Sequence, residues 1–522
     1  MKTYVGITIG PITNALQYAK DPQSLWFACA IFSEISREIC EALTAPNCSF
    51  EDVEIYTPYY FHGMKVDDGV AKTHDRIVFS AENVEEAVLD KIISLVKGDV
   101  SELFPVEYQS PAYKKFLDDY FQIHYICLEV NENLNKNCMM EIYPHLHDME
   151  CRQVLSEETA QNPFYDLFGL REDVRSLRIM SSPLAHTVKK GAGQFFNGRG
   201  EFKTVYEIAN PREPDGRKKV PYYCLVRCNG DDIDHLLRSF SENKKLISFS
   251  VACLQHSITA CEMIRQFGGL TVYAGGDEFF FFAPLIGCDG KTVFELCQRI
   301  EQKFYFFMKE HLPWSNSPSL SFGVSIQRCT HEVYEAFTKT GELLKLAKTL
   351  SLKNNTAVRI TNKSRMENII VNNDDIDAFL DIFKEGYDIT EGMVRGEQKR
   401  AQMQEALDII TEFKDVVISV AEMAKNGNLS PDEYLRSVSK IFDGKTYERN
   451  PMFLKNLLLL FYRRLVRKER QIWTLKRSED EFDVKKTYSY DYEEQSIFVF
   501  EEILKMKENL LELEQERSPI FS

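Results

Sequence analysis

The stretch that most restricts the fold of this chain is GGLTVYAGGDEFFFFAPL, residues 268–285. Two apolar runs of strand-forming residues flank a Gly-Gly pair, and glycine tolerates the positive φ angles that a tight turn requires. The pattern predicts a β-hairpin that carries two adjacent acids, Asp277 and Glu278, near its tip. Acids are common in exposed hairpin turns, so the hairpin alone fits either a solvated turn or a ligand site.

A second acidic group follows an upstream strand, in YYCLVRCNGDDIDHLL at residues 222–237. In a ferredoxin-like sheet the first strand lies beside the hairpin, so we expect the two acidic groups to converge. Converging carboxylates repel each other unless a cation lies between them, and Mg²⁺ prefers oxygen ligands together with substrate phosphates. We therefore predict a site for Mg²⁺ or Mn²⁺ with Asp277, Glu278, Asp231 and Asp232 as candidate ligands.

The order of the predicted elements gives the fold class, which is α/β of the α+β kind. Residues 1–150 read strand, helix, two strands, helix, strand, the order of a ferredoxin-like sandwich. Residues 219–365 repeat this order with little shared sequence, and a loop-rich linking segment, 151–218, lies between the two. Residues 366–522 show helical periodicity with alternating charge, which predicts an all-α C-terminal domain.

A basic side chain is predicted near the acidic site. Residues 332–350 form a helix in this interpretation, because Val333, Phe337 and Leu344 fall on one face at helical spacing. Lys348 lies near the edge of that face, one helix away from the acids. Its ammonium group either neutralises triphosphate charge or is an ordinary solvated helix lysine.

Composition narrows the class of protein. The formal net charge of −16 argues against a freestanding nucleic-acid binder, which usually displays a basic surface. The 13 cysteines include no Cys-x-x-Cys pair, so neither a disulfide framework nor a zinc ribbon is indicated, and a reducing compartment fits best. No signal-type N-terminus and no run of about 20 apolar residues is present, so we expect a cytoplasmic protein without membrane insertion.

Taken jointly, several motifs resemble the large subunit of type III CRISPR effector complexes. YAGGDEFFFFAPL is similar to the GGDD or GGDEF-type hairpin of its palm domain, and YYCLVRCNGDDIDHLL to its first palm strand. LSFGVSI, ELLKLAK and LKNNTAVRI resemble the closing strand, helix and strand. GITIGPITNALQYAKDPQSLWFACAIFSEI and THDRIVFSA resemble two parts of the first palm of Cmr-type members. The resemblance covers roughly residues 1 to 365 and implies two ferredoxin-like palm domains.

The resemblance also implies an activity. In that family the second palm polymerises ATP into a signalling nucleotide when the complex binds target RNA. The chain is thus expected to be a metal-dependent nucleotidyltransferase whose partners are the other subunits of a Cmr-type complex, the guide RNA and the target RNA. The match implies catalytic and metal-binding roles for Asp277 and Glu278 and triphosphate contact for Lys348, while Gly275 and Gly276 let the backbone approach the nucleotide.

The chain departs from the family pattern at two places. Asn229, followed by Gly230, stands where the family usually has a metal-binding aspartate, and we assign both to the nucleotide site. Either Asp231 or Asp232 substitutes, or the site binds one ion well and the second only with substrate. The first palm-like strand starts at Thr3, so no preceding HD nuclease domain is expected. The first palm lacks a Gly-Gly-acid-acid turn and is expected to be inert in metal catalysis.

Extra acids near the first palm leave the product open. Asp68 in KVDDGVAKTHDR and Glu150 in HLHDMEC either belong to a solvated loop and helix face or line a second ligand pocket facing the catalytic palm. A nuclease-free branch of the family joins AMP to S-adenosylmethionine. The expected product is therefore a cyclic oligoadenylate or an AMP conjugate of S-adenosylmethionine, which in the second case is a co-substrate.

Two other functions fit parts of the sequence. Asn229 also suits a decayed metal site in a non-catalytic scaffold subunit, and the hairpin alone suits a freestanding GGDEF-type cyclase. The basic run FYRRLVRKERQIWTLKR, residues 461–477, is either a contact for RNA or the complex, or an exposed helix face balanced by the acids that follow it.

Overall fold

A computed structural model describes most of the N-terminal two thirds of the chain and one short C-terminal segment. The described residues are 2–64, 70–102, 110–129, 137–151, 164, 193–211, 222–313, 318–349, 353–360, 368–373 and 430–439, with single positions at 415, 419 and 423. The chain divides into two compact units. The first comprises residues 1–215, 221–320 and 328–341, and the second comprises 216–220, 321–327 and 342–522.

The first unit begins with a four-stranded antiparallel sheet and its helices. In chain order the elements are β1 (Lys2–Gly10), α1 (Ile12–Leu16), α2 (Pro22–Thr44), β2 (Glu51–Thr57), β3 (Arg76–Glu82), α3 (Glu86–Glu102), α4 (Pro111–Tyr120), β4 (Gln122–Glu129) and α5 (Met139–Cys151). The strand order is β2-β3-β1-β4. Strand β1 pairs antiparallel with both β3 and β4, which is the ferredoxin-like arrangement expected for residues 1–150.

Local sequence explains the longest helix of this sheet. Helix α2 starts where the Asp21 carboxylate accepts a hydrogen bond from the Ser24 backbone N–H at 2.7 Å, with Pro22 in the first turn. Such a cap satisfies a backbone donor that would otherwise lack a helical partner. Trp26 and Phe27, further along, are almost fully buried. The helix is therefore the main apolar layer over the sheet.

The rest of the first unit contains the predicted hairpin. Its further elements are α6 (Val205–Ala209), β5 (Tyr222–Gly230), α7 (Ile233–Ser239), α8 (Asn243–Phe267), β6 (Leu270–Gly275), β7 (Glu278–Pro284) and α9 (Val293–His311). Strand β7 pairs antiparallel with both β5 and β6, so the order β6-β7-β5 repeats the order β2-β3-β1 of the first sheet. The predicted structural duplication is visible in this shared order.

The phenylalanine run of the hairpin is buried on both faces of its sheet. Phe279 to Phe282 are at most 3% exposed. Phe279 contacts the ring of His256 on α8, and Phe280 contacts Phe337 on the other face, with ring centroids 4.9 and 5.1 Å apart. A strand covered on both sides reads as a continuous apolar run rather than as an alternating one.

The later part of the chain supplies elements to both units, since residues 328–341 belong to the first and residues 321–327 and 342–522 to the second. The remaining elements are β8 (Leu320–Arg328), α10 (Val333–Thr349), β9 (Asn355–Ile360), β10 (Asn368–Asn372) and α11 (Pro431–Ser439). Strand β9 pairs parallel with β8 and antiparallel with β10. Residues 368–372 thus form a strand, although the sequence pattern places the helical domain from residue 366 onward. In the part of the chain described, no helix is long and apolar enough to cross a membrane.

Candidate functional site

The hairpin turn contains two consecutive glycines, Gly275 and Gly276. Strand β6 ends at Gly275 and β7 begins at Glu278, so Gly276 and Asp277 form the turn. Gly276 has a φ of +62°, a left-handed conformation that favours glycine. A Cβ at Gly275 would lie 2.4 Å from the hydroxyl oxygen of Tyr273, so a side chain here would require the Tyr273 ring to move.

Asp277 is fixed to the end of strand β5. Its Oδ2 atom accepts hydrogen bonds from the Asn229 side-chain amide at 3.1 Å and from the Gly230 backbone N–H at 3.0 Å. The same Gly230 N–H lies 3.1 Å from the Asp277 carbonyl oxygen. A Cβ at Gly230 would be 2.7 Å from Asp277 Oδ2, so only glycine permits this approach. The structure therefore brings the strand end and the hairpin tip together, as expected from the sequence.

Glu278 accepts hydrogen bonds from a different residue than Asp277 does. Its Oε1 atom accepts hydrogen bonds from Arg227 Nε at 2.7 Å and Arg227 Nη2 at 2.5 Å. The guanidinium carbon of Arg227 also lies 5.5 Å from the centre of the Phe337 ring. The two adjacent acids of the hairpin thus have separate environments, one beside an amide and one beside a cation.

The two aspartates after β5 have different environments. Asp231 is 3% exposed, accepts a hydrogen bond from Ser319 Oγ at 2.7 Å and donates its backbone N–H to the Ser319 carbonyl at 2.8 Å. Asp232 is exposed and has a φ of +56° at the start of α7. Among the described residues no three His, Cys, Asp or Glu side chains are close enough to hold a metal ion by themselves. The donors at the tip still fit Mg²⁺, which binds one or two carboxylates and takes its remaining ligands from water and substrate phosphates.

The first palm touches the hairpin through a short segment, residues 70–75. The backbone N–H of Ala274 donates to the Ala71 carbonyl at 2.8 Å, and Ala71 forms a parallel bridge with Tyr273. The Cδ2 atom of His74 lies 3.7 Å from the position of a Cβ at Gly276. No local sequence pattern indicates that His74 lies near a turn more than 200 residues away.

Burial lowers the pKa of His74 in this segment and raises the pKa of Asp75. His74 accepts the Arg76 backbone N–H at Nδ1, at 3.3 Å, and its Nε2 lies 2.7 Å from the Thr57 hydroxyl, which therefore accepts the ring proton. Burial, with the nearby Arg76 charge, lowers the pKa of His74 to about 4. Burial raises the pKa of Asp75 to about 6 despite Arg76, and repulsion from Glu278 contributes to that rise. The hairpin therefore has a neutral imidazole and a hard-to-ionise carboxyl next to it.

Glu150, a predicted pocket residue, is engaged within the first palm. Its Oε1 atom accepts hydrogen bonds from Thr8 Oγ1 and from Arg76 Nε, both at 2.7 Å, and Arg76 Nη2 bonds Oε2 at 2.5 Å. Burial raises the pKa of Glu150, but these hydrogen bonds more than offset that effect, so the pKa is lowered. A carboxylate with these partners stabilises the contact between α5 and β3.

The remaining predicted positions are only partly described. Lys348 is half-buried in the last turn of α10, in the second unit. Asp68 and the basic run 461–477 lie outside the described residues. Arg227 is the site residue that the sequence reasoning missed. Its only signal is a charge inside the apolar strand YYCLVRC.

Comparison with known proteins places this geometry in a family. Residues 222–357 match the model of the Cas10/Cmr2 second palm domain. A chain in the crystal structure of the apo Csm1-Csm4 cassette is similar with a TM-score of 0.51 at 13% identity, covering 88% of this chain and 70% of that chain. A search among curated proteins by sequence gives no match.

Two further solved structures show lower similarity. A chain of the Csm1-Csm4 cassette in complex with AMPPNP has a TM-score of 0.49 at 12% identity, covering 79% of this chain and 62% of that chain. A chain of the type III-B Cmr-beta complex in its apo state has a TM-score of 0.49 at 9% identity, covering 77% of each chain. The present chain therefore spans less than two thirds of the first of these and about three quarters of the second.

The family match and the hairpin geometry cover the same residues. The match begins at the first residue of β5 and ends inside β9, so it includes Asn229, Gly230 and the whole hairpin. The fold class predicted from the sequence, with palm domains of ferredoxin-like order, is confirmed. The chain is therefore Cas10-like, and its residues 222–357 match the second palm domain of Cas10/Cmr2.

Proposed function

We propose that this chain is the nucleotidyltransferase subunit of a type III CRISPR complex and uses ATP and Mg²⁺ or Mn²⁺ to make a signalling nucleotide when target RNA is bound. The observation that carries the proposal is the Asp277 carboxylate at the hairpin tip, held by Asn229 and Gly230 within a Cas10/Cmr2 second palm domain. Such palms require a carboxylate that is both precisely placed and open to a nucleotide, and Asp277 is only half-buried.

Asp277 is the residue we assign first to the metal. The amide of Asn229 lies beside it and supplies an oxygen if its orientation is reversed, which replaces the aspartate usual in the family. A metal ion held by these residues would polarise phosphoryl oxygens and lower the pKa of an attacking hydroxyl. Asp231 and Asp232, predicted ligands in the sequence, lie on the same strand end, and we propose that they contribute through water or on substrate binding.

The residues around the metal ligand have positioning roles in this proposal. Gly275 and Gly276 leave the turn without side chains, so a nucleotide base or ribose can approach the backbone. We assign Lys348 to the triphosphate, where its ammonium offsets charge on the leaving pyrophosphate. The first palm supports the turn through residues 70–75 and supplies no metal ligand.

The product divides the proposal into two branches. In one, successive AMP units join into a cyclic oligoadenylate; in the other, one AMP unit is transferred to S-adenosylmethionine. The second branch requires a pocket for the co-substrate, for which we name Asp68 and Glu150 as sequence-based candidates. Glu150 would have to contact the co-substrate while its carboxylate stays bonded to Arg76 and Thr8.

The experiment is product analysis of the assembled complex. The chain is produced with its partner subunits and guide RNA, mixed with ATP, Mg²⁺ and target RNA with or without S-adenosylmethionine, and the nucleotides are identified by mass. We expect a product only with target RNA and metal, and a mass change on adding S-adenosylmethionine selects the conjugate branch. Absence of any product in both mixtures, with the complex intact, would favour the scaffold function.

The test variant is Asp277→Asn, which keeps the size of the side chain and one hydrogen-bond-accepting oxygen. Its loss of activity with an unchanged melting temperature would assign the chemistry to the hairpin. Nucleotide synthesis by the isolated chain from GTP, without RNA, would instead indicate a freestanding cyclase.

A further inference from the structure

The side-chain surroundings of the second hairpin acid, Glu278, differ from those of a metal ligand. Arg227 approaches it with two nitrogens of the guanidinium, and both bonds converge on Oε1. Both side chains are 31% exposed, so the pair is partly removed from water. Charge-assisted bonds of this kind are stronger than neutral ones and fix the geometry of both partners.

Arg227 is itself held in place by its surroundings. Its guanidinium lies over the Phe337 ring at 5.5 Å. A Cβ at Gly341 would lie 3.6 Å from Arg227 Nη1, so helix α10 approaches the guanidinium closely at a glycine. An arginine packed against an aromatic ring loses little freedom when it forms a further bond.

The β5–β7 strand register places the Arg227–Glu278 pair next to the hairpin tip. Asn229 lies directly opposite Glu278 in the β5–β7 pair, and Arg227 lies two residues earlier on β5. Because alternate residues of a strand point to the same face, Arg227 and Asn229 share one face of the sheet. Arg227 donates hydrogen bonds to Glu278, and Asn229 donates one to Asp277. Two β5 residues on the same face of the sheet therefore bind two consecutive residues of the hairpin.

The charge of Arg227 argues against a cation at Glu278. A guanidinium bonded to a carboxylate offsets its negative charge, and a divalent ion bound to the same group would be repelled by the arginine at short range. The Asp277 carboxylate instead accepts hydrogen bonds from the neutral Asn229 amide and the Gly230 backbone N–H. The adjacent acids therefore suit different tasks.

We propose that Glu278 and Arg227 form a clamp that positions the hairpin, and that Asp277 rather than Glu278 holds the metal. Both are positioning residues that act through Asp277. The inference deepens the proposed function and rests on it, and it reassigns Glu278 from the ligand role that the sequence predicts.

Metal binding gives the first test, without the need for a product. Mn²⁺ binding to the complex is measured by electron paramagnetic resonance for the wild type, Asp277→Asn and Glu278→Gln. Glutamine keeps an oxygen for Arg227 but loses the charge that a metal ligand needs. We expect Asp277→Asn to weaken Mn²⁺ binding by at least about tenfold and Glu278→Gln to stay within about twofold of the wild type. A tenfold loss in Glu278→Gln would overturn the inference.

A double-mutant cycle on product formation tests the clamp. Arg227→Met and Glu278→Leu are made singly and together. If both act as one unit, each single change lowers the rate by about tenfold and the double variant is no worse than the more severe single one. Independent effects that multiply to about a hundredfold would contradict the clamp.

The chain offers a matched control for loss of an ion pair. Arg299 on α9 bonds Asp289 at 3.1 Å, with side chains 34% and 35% exposed, away from the hairpin. Arg299→Met is expected to leave Mn²⁺ binding and the rate unchanged. A wild-type complex that neither binds Mn²⁺ nor forms a product would refute the proposed function itself, whereas binding with an altered role for Glu278 refutes only the clamp.

Discussion

Substituting Gly230 by alanine tests how closely the metal-binding carboxylate must approach strand β5. A Cβ at this position would lie 2.7 Å from Asp277 Oδ2 and 2.6 Å from Ile233 Cγ1. Ordinary contact begins at 3.4 Å, so the carboxylate would have to move by about 0.7 Å. The added methyl overpacks the site at a cost of about 1 to 3 kcal/mol in the free energy of unfolding. A displacement approaching 1 Å lowers a rate by about ten- to a hundredfold, because reacting groups lose their alignment.

The assay is the rate of nucleotide formation by the complex, with thermal unfolding recorded on the same protein. Gly98→Ala serves as the control, because Gly98 lies in α3 and an added Cβ there meets no atom within 4 Å. We expect the control to keep its rate and to gain about 0.5 to 1 kcal/mol of stability. If Gly230→Ala keeps both the wild-type rate and the wild-type melting temperature, the close approach of Asp277 to Gly230 is not required.

Three further predictions concern the first palm and a helix cap. Between pH 7 and 4 the half-buried His74, with a pKa of about 4, destabilises the fold, since the unfolded imidazole takes up its proton near pH 6.5. Asp75 acts oppositely, because its folded pKa of about 6 lies above the unfolded 3.8, so protonation stabilises the fold as the pH falls through 6. Asp75→Asn should therefore lose melting temperature on acidification more steeply than the wild type, and parallel curves would contradict this. Glu150→Ala leaves Arg76 without its carboxylate and should cost about 1 to 3 kcal/mol in urea unfolding, whereas loss of an S-adenosylmethionine conjugate at unchanged stability would support the pocket role instead. Thr292→Ala removes the capping box of α9 and should cost about 0.5 to 2 kcal/mol in the same assay; no change would refute that estimate.

The hairpin and both sheets could be predicted because their signals are local. Gly276 requires a left-handed φ, and the four phenylalanines that follow Glu278 are buried on both faces of the strand. The approach of Asp277 to Asn229 follows from the ferredoxin-like order, in which the first strand pairs with the third. These features depend on residue type and element order, which the sequence contains.

The partners of single side chains could not be predicted. Asp231 and Asp232 are adjacent in sequence, yet one is buried against Ser319 and the other is exposed. Glu278 has an arginine partner because the β5–β7 register sets Arg227 beside it, and that register is a property of the folded sheet. His74 lies near Gly276 of the turn although about 200 residues separate them, and no local sequence pattern indicates this proximity.

The most direct measurement is mass analysis of nucleotides made from ATP by the assembled complex, comparing the wild type with Asp277→Asn. The account predicts a nucleotide product that requires Mg²⁺ or Mn²⁺ and target RNA, and that disappears in the variant while the complex stays assembled. A product that persists in Asp277→Asn would contradict the assignment of the metal to the hairpin tip.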